Sequence, residues 1–160
     1  MPSPPPLRVL VLCTGNSCRS QMAEGWLRHF GGDAVDVHSA GVEAHGLNAR
    51  AVAVMAEAGV GIAGHTSKTV DALPAVPFDV VVTVCDHARE RCPDLPGRSA
   101  RVHAPVPDPA RATGTEADVM ATFRAVRDAI RAWAEAFVAE TVGGGGGADE
   151  TQARRGATGA

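Results

Sequence analysis

The chain has 160 residues, a formal net charge of -3 and a hydrophobic content of 45%, enough for one domain with a continuous core. That charge argues against a nucleic-acid binder, and no apolar run approaches the length of a membrane span. The start, Met1-Pro2-Ser3-Pro4-Pro5-Pro6, lacks the cationic leader and small-residue cleavage site of a secretory signal, so the expected compartment is the cytoplasm, where cysteines stay reduced and serve chemistry more often than structure.

The prolines predict an extended lead-in. Residues 7–12 (LRVLVL) form a short apolar run before a glycine-containing loop, which reads as a buried strand. Residues 19–30 read as a helix, with Met22, Trp26, Leu27 and Phe30 at helical spacing and Gly31-Gly32 as its stop. Residues 34–38 form a second strand. Asn48 caps a helix that runs to Ala58, with Gly59 after it. Residues 78–84 (FDVVVTV) are continuous enough for a strand buried on both faces, and 101–104 make a short fourth strand. A proline-rich loop covers 105–114. Thr115-Glu116-Ala117-Asp118 resembles a capping box, and Val119, Phe123, Val126, Ile130, Trp133 and Phe137 then recur at steps of four and three. That is the stripe of a long helix closing the domain, which is expected to occupy residues 1–142. Residues 143–160, which open on five glycines, read as a disordered tail.

Alternating strands and helices imply a four-stranded parallel sheet with helices on both faces, and ligands in such folds sit at the carboxyl ends of strands. Three segments converge there. The first is Cys13-Thr14-Gly15-Asn16-Ser17-Cys18-Arg19-Ser20. Backbone N–H groups of Thr14 to Arg19 can ring a tetrahedral anion at a helix N-terminus, and the Arg19 fork can grip two oxygens. Gly15 supplies a backbone angle that other residues resist. The same field is expected to lower the Cys13 pKa and make it a nucleophile, with Ser20 donating to the thiolate and Cys18 buried behind the loop. The bland alternative is a buried small cysteine beside a turn.

The second segment holds Cys85 and Cys92, separated by six residues and spaced like a redox pair. Structural thiols and a zinc site are the alternatives. Zinc sites favour tighter Cys-x2-Cys pairs, and no metal is expected. The third is Asp108 between Pro107 and Pro109, a general acid or a plain turn residue.

The run from Val11 to Gly25, together with Ser39-Ala40-Gly41, His65-Thr66-Ser67 and Asp108-Pro109, resembles the thioredoxin-coupled arsenate reductases. These share the low-molecular-weight protein tyrosine phosphatase fold, a three-layer α/β sandwich. The resemblance extends from Leu7 to about Phe137. It implies that Cys13 attacks arsenate, that Arg19 and the loop amides hold it, and that Asp108 protonates the departing oxygen with its pKa raised near the anion. It further implies that Cys85 attacks the arsenylated Cys13 and releases arsenite. Cys92 then moves the disulfide to Cys85–Cys92, within reach of thioredoxin. Residues 86–91 would be a marginal helix that uncoils for this step. No bound redox cofactor is implied, and a monomer is expected.

Two departures matter. Relatives of this type carry potassium beside the loop, on positions matching Asn16, Glu24 and Ser39 and on an aspartate where this chain has Lys68. An ammonium pairing with Glu24 would replace the ion. The phosphatases place an aromatic residue after their aspartate-proline and a proline in their signature. This chain has Ala110 and Gln21 at those positions and no tyrosine, which favours a small inorganic oxyanion over an aryl phosphate. A phosphomonoester hydrolase needing only Cys13, Arg19 and Asp108, and a cysteine-rich binding protein, remain the competing readings.

Overall fold

A computed structural model of the chain describes residues 4–91 and 99–143. Cys92, Arg98 and the tail from 144 onward lie outside the described residues. Four parallel strands, β1 (Leu7–Cys13), β2 (Val35–Gly41), β3 (Val80–Thr83) and β4 (Ala100–His103), lie in the order β2-β1-β3-β4. Val9 to Cys13 and all four residues of β3 are buried. Side chains alternate across a sheet, so continuous burial means that both faces of these two strands are covered. The continuous apolar runs in the sequence reflect this.

The helices are α1 (Arg19–Gly31), α2 (Ala49–Glu57), α3 (Asp86–Glu90) and α4 (Glu116–Val138). The sandwich has three layers: α1 and α4 pack together, α2 packs against both, and α3 lies against β1 and β3. The caps are those the sequence advertises. Asn48 accepts from the N–H groups of Arg50 and Ala51, and Thr115 and Asp118 form a reciprocal capping box. Val119, Phe123, Val126, Ile130 and Phe137 of α4 are buried, whereas Trp133 is half-exposed.

Strand boundaries shift from the sequence reading. β2 runs on to Gly41 because Ser39, Ala40 and Gly41 stay in register with Val11, Leu12 and Cys13. β3 starts two residues late, since Val80 is the first residue to meet both Val9 and Ala100. The chain passes from β1 out to β2 and back to β3, so the direction of winding reverses between β1 and β3. That switch point is where a crevice opens; Cys13 ends β1 and Cys85 follows β3.

Candidate active site

The loop between β1 and α1 is held from outside. The N–H groups of Val42, Glu43, His45 and Asn48 donate to the carbonyls of Cys13, Thr14, Gly15 and Ser17 at 2.9–3.2 Å, and Ser67 Oγ adds a bond to the Gly15 carbonyl at 3.2 Å. A trans peptide plane whose carbonyl is drawn outward turns its N–H the other way. The loop amides therefore face a cavity of about 610 Å³ lined by Cys13, Thr14, Arg19, Cys85 and Asp108.

Two glycines permit this packing, for a reason different from the one expected. Gly15 does not adopt a left-handed angle; a Cβ there would strike the His45 ring. At Gly41 a Cβ would collide with the backbone of Asn16, Thr14 and Glu43. The left-handed residue is Asn16, with φ of 49°, and its buried side chain stabilises that conformation. Asn16 Nδ2 donates to Ser20 Oγ at 2.8 Å and to Ser39 Oγ at 3.0 Å. Its Oδ1 accepts from Gln21 Nε2 at 3.0 Å and from the Lys68 N–H at 2.9 Å.

Gln21 is fully buried and ties the loop to the 65–68 segment, through the Thr66 carbonyl and the His65 ring, which donates from Nδ1 to Gln21 Oε1 at 3.0 Å. Sequence reasoning noted Gln21 only for the proline it replaces. A polar side chain on the buried face of α1 was the available signal. His45 left none, because it lines the cavity and presses on Gly15 from a segment distant in the chain.

Arg19 is 11% exposed, donates to the Val106 carbonyl at 3.3 Å, and lies 3.7 Å from Asp108 Oδ2. Asp108 also accepts from the Ala110 N–H at 3.0 Å, and so caps its own turn. Both roles the sequence suggests for Asp108, acid and turn former, are thus compatible with its position. Cys18 is buried and lines the cavity, with its thiol pushed up to about 11, chiefly by burial.

The charge in the site differs from the expectation. Cys13 and Cys85 line the same cavity. The Cys85 thiol, and then burial, push the Cys13 thiol far above its ordinary value, against the pull of Arg19 and the Ser20 backbone N–H. Ser20 acts through its N–H, and its hydroxyl accepts from Asn16. Cys85 is lowered to about 5, first by the Cys13 thiol, with further help from Thr14, the Ala88 N–H and Arg19. Thr14 Oγ1 and the Ala88 N–H each lie 3.3 Å from Cys85 Sγ, which caps α3. Two adjacent sulfurs cannot both carry charge in a desolvated site. The contacts favour the thiolate at Cys85, which has three donors around it.

Of the predicted site residues, Cys13, Thr14, Gly15, Asn16, Ser17, Cys18, Arg19, Ser20, Cys85 and Asp108 come together around the loop. Cys92 lies outside the described residues. Among the described residues no cluster of histidine, cysteine and carboxylate suited to a metal occurs, and no helix is long and apolar enough to cross a membrane.

A family model for low molecular weight phosphotyrosine protein phosphatase matches residues 8–143. The arsenate reductase of Halalkalibacterium halodurans is 52% identical over 122 residues, 76% of this chain and 88% of the relative. The arsenate reductase of Bacillus subtilis is 50% identical over the same shares. Among solved structures, an arsenate reductase in the oxidized state superposes with a TM-score of 0.72 at 28% identity, covering 83% of this chain and 97% of that one. A low molecular weight protein tyrosine phosphatase from T. tengcongensis shares the fold, with a TM-score of 0.69 at 24% identity over 82% and 97% of the two chains.

Raising the pH of the reduced protein through about 5 should bring up one thiolate, read by ultraviolet absorbance, and Cys85→Ser should abolish that transition. A first thiolate appearing only in the ordinary thiol range would show that the pair does not hold a charge.

Proposed function

The chain belongs to the low-molecular-weight phosphotyrosine protein phosphatase family, and within it we propose that it is an arsenate reductase whose electrons come from its own cysteines. The observation that carries this reading is the second sulfur: Cys85 lines the same cavity as Cys13 and Arg19, with Thr14 Oγ1 3.3 Å from its sulfur. Hydrolysis needs one nucleophile. A second cysteine sulfur at the site of the first is what a two-electron reduction requires.

Arsenate is held by the loop N–H groups and Arg19. Cys13 attacks arsenic, and its proton leaves with the departing oxygen as water, delivered by Asp108. The Cys85 thiolate then attacks the Cys13 sulfur. A sulfur–sulfur bond forms, the sulfur–arsenic bond breaks, and its electron pair stays on arsenic, which leaves as arsenite. Cys92 attacks Cys85 in turn, frees Cys13, and leaves a Cys85–Cys92 disulfide for an external dithiol. The donor in this reading is thioredoxin, in keeping with a structural relative from Corynebacterium glutamicum, described as a thioredoxin-dependent arsenate reductase. That relative has a TM-score of 0.59 at 25% identity, over 81% of this chain and 60% of that one. Such a cycle uses no bound redox cofactor, suits the reducing cytoplasm, and needs residues of one chain only.

A potassium ion beside the loop does not fit the groups present. Glu24 Oε1 accepts from Ser39 at 2.5 Å, Glu24 Oε2 pairs with Arg28 at 2.8 Å, and Asn16 Oδ1 already accepts two N–H groups. Arg28, four residues along α1, is the direct partner of Glu24. Lys68 donates to the Thr66 carbonyl at 2.8 Å, and its pKa is lowered by burial against the attraction of Glu24. In this reading the chain's own cations take the role of a metal, through Arg28, paired with Glu24, more than the expected Lys68.

With thioredoxin, its reductase and NADPH, the wild type should oxidise NADPH in response to arsenate, and Cys92→Ser should stop after one turnover as a Cys13–Cys85 disulfide. Aryl-phosphate hydrolysis by both, without arsenate-dependent oxidation, would make the protein a phosphatase. Exchanging potassium for sodium at constant ionic strength should change neither the melting temperature nor kcat/KM. A gain specific to potassium would refute the internal-cation reading.

A further inference from the structure

His103 ends β4 and lies in register with Thr83, the end of β3. Its ring bridges two groups: Nδ1 is 2.7 Å from Thr83 Oγ1 and Nε2 is 2.8 Å from Asp86 Oδ1. Asp86 is the first residue of α3 and the neighbour of Cys85. The ring is mostly buried, with 20% of its side chain exposed, whereas Asp86 is 72% exposed. The carboxylate can only accept, so Nε2 carries a hydrogen. Nδ1 then accepts from the Thr83 hydroxyl, or donates to it if the ring is charged. A hydroxyl serves either way, so the bridge holds in both protonation states. Arg89, at 3.9 Å from Asp86, adds a weaker contact on the solvent side.

α3 has five residues, too few to be stable alone. Beside its backbone bond from Arg89 to Cys85 and the Thr14 contact to the Cys85 sulfur, two side-chain links hold its N-terminal turn: the Cys85 sulfur accepting from Ala88, and the Asp86–His103–Thr83 bridge. The first uses the charged sulfur, and that charge is spent when Cys85 bonds to Cys13. The second makes no use of either sulfur and anchors the residue beside Cys85 to the two sheet strands.

We infer that His103 is a positioning residue for the sulfur-transfer step: through Asp86 it holds the root of α3 so that Cys85 faces Cys13. The inference rests on the reductase reading. In the step it serves, the Cys85 thiolate attacks Cys13 sulfur, the sulfur–arsenic bond breaks, and two thiol sulfurs are oxidised to a disulfide as arsenic(V) becomes arsenic(III). Hydrolysis of an aryl phosphate at Cys13 forms no bond to Cys85, and a displaced Cys85 leaves Cys13 easier to ionise, so a hydrolysis rate that does not fall supplies an internal control.

The test uses the full reduced chain, with arsenate for single-turnover arsenite release and an aryl phosphate for hydrolysis. His103→Ala and Asp86→Ala should each slow arsenite release by about tenfold or more, since small misplacements of reacting atoms are costly, and should not slow hydrolysis. The double variant should be no slower than the worse single one, because one bridge is being removed twice. Arsenite release at the wild-type rate in both variants, equal loss of hydrolysis and release in both, or additive losses in the double variant would overturn the role of His103. A wild type that hydrolyses aryl phosphate but releases no arsenite would instead refute the reductase reading.

Discussion

Cys13 ends β1 and Cys85 follows β3, at the point where the sheet reverses its winding. Each thiol shifts the other, Cys13 upward and Cys85 downward. The surroundings then decide where the charge rests. Arg19 and a backbone N–H favour it on Cys13, but burial and the Cys85 thiol oppose it there. Cys85 has a hydroxyl, a helix-capping N–H and the Cys13 thiol as donors, and wins. A nucleophile that rests protonated beside a charged partner is poorly arranged for hydrolysis alone. It is well arranged for a substrate that takes up a proton as it loses oxygen and then needs a second sulfur.

The scaffold that holds this pair is a polar network inside the sheet's edge. Asn16, in a left-handed conformation, is fixed by four side-chain hydrogen bonds reaching α1, β2 and the 65–68 segment. Leaving any one of these buried partners unpaired costs about 1–3 kcal/mol, whereas an exposed ion pair contributes at most about 1 kcal/mol. The loop's shape therefore rests on Asn16, Gln21, Ser39 and Glu24 more than on surface pairs such as Arg50 with Glu116. Because Arg28 neutralises the buried Glu24 from within the same helix, the network closes on the chain's own charges.

Much of this was legible in the sequence, for identifiable reasons. β1 and β3 announced themselves as continuous apolar runs because both of their faces are covered. The ends of α2 and α4 were marked by Asn48 and by the Thr115–Asp118 pair. The anion loop was visible because its residues are consecutive. What escaped detection depends on contacts between distant segments. β2 extends through Ser39, Ala40 and Gly41 only because β1 continues beside them, and residues 59–77 carry no periodic pattern. Gln21, His45 and His103 act through partners 17 to 45 positions away or through a glycine they press upon. The resting charge on Cys85 could not be read from Cys13 and its loop, since it follows from the meeting of two sulfurs 72 residues apart in the chain.

The most direct test is to mix the fully reduced protein with arsenate in the absence of any external thiol, measure the arsenite formed, and map the disulfides. The account predicts stoichiometric arsenite, matched by a disulfide among Cys13, Cys85 and Cys92, and none from Cys85→Ser. Arsenite formed equally well by Cys85→Ser, or a wild type that forms none, would contradict it.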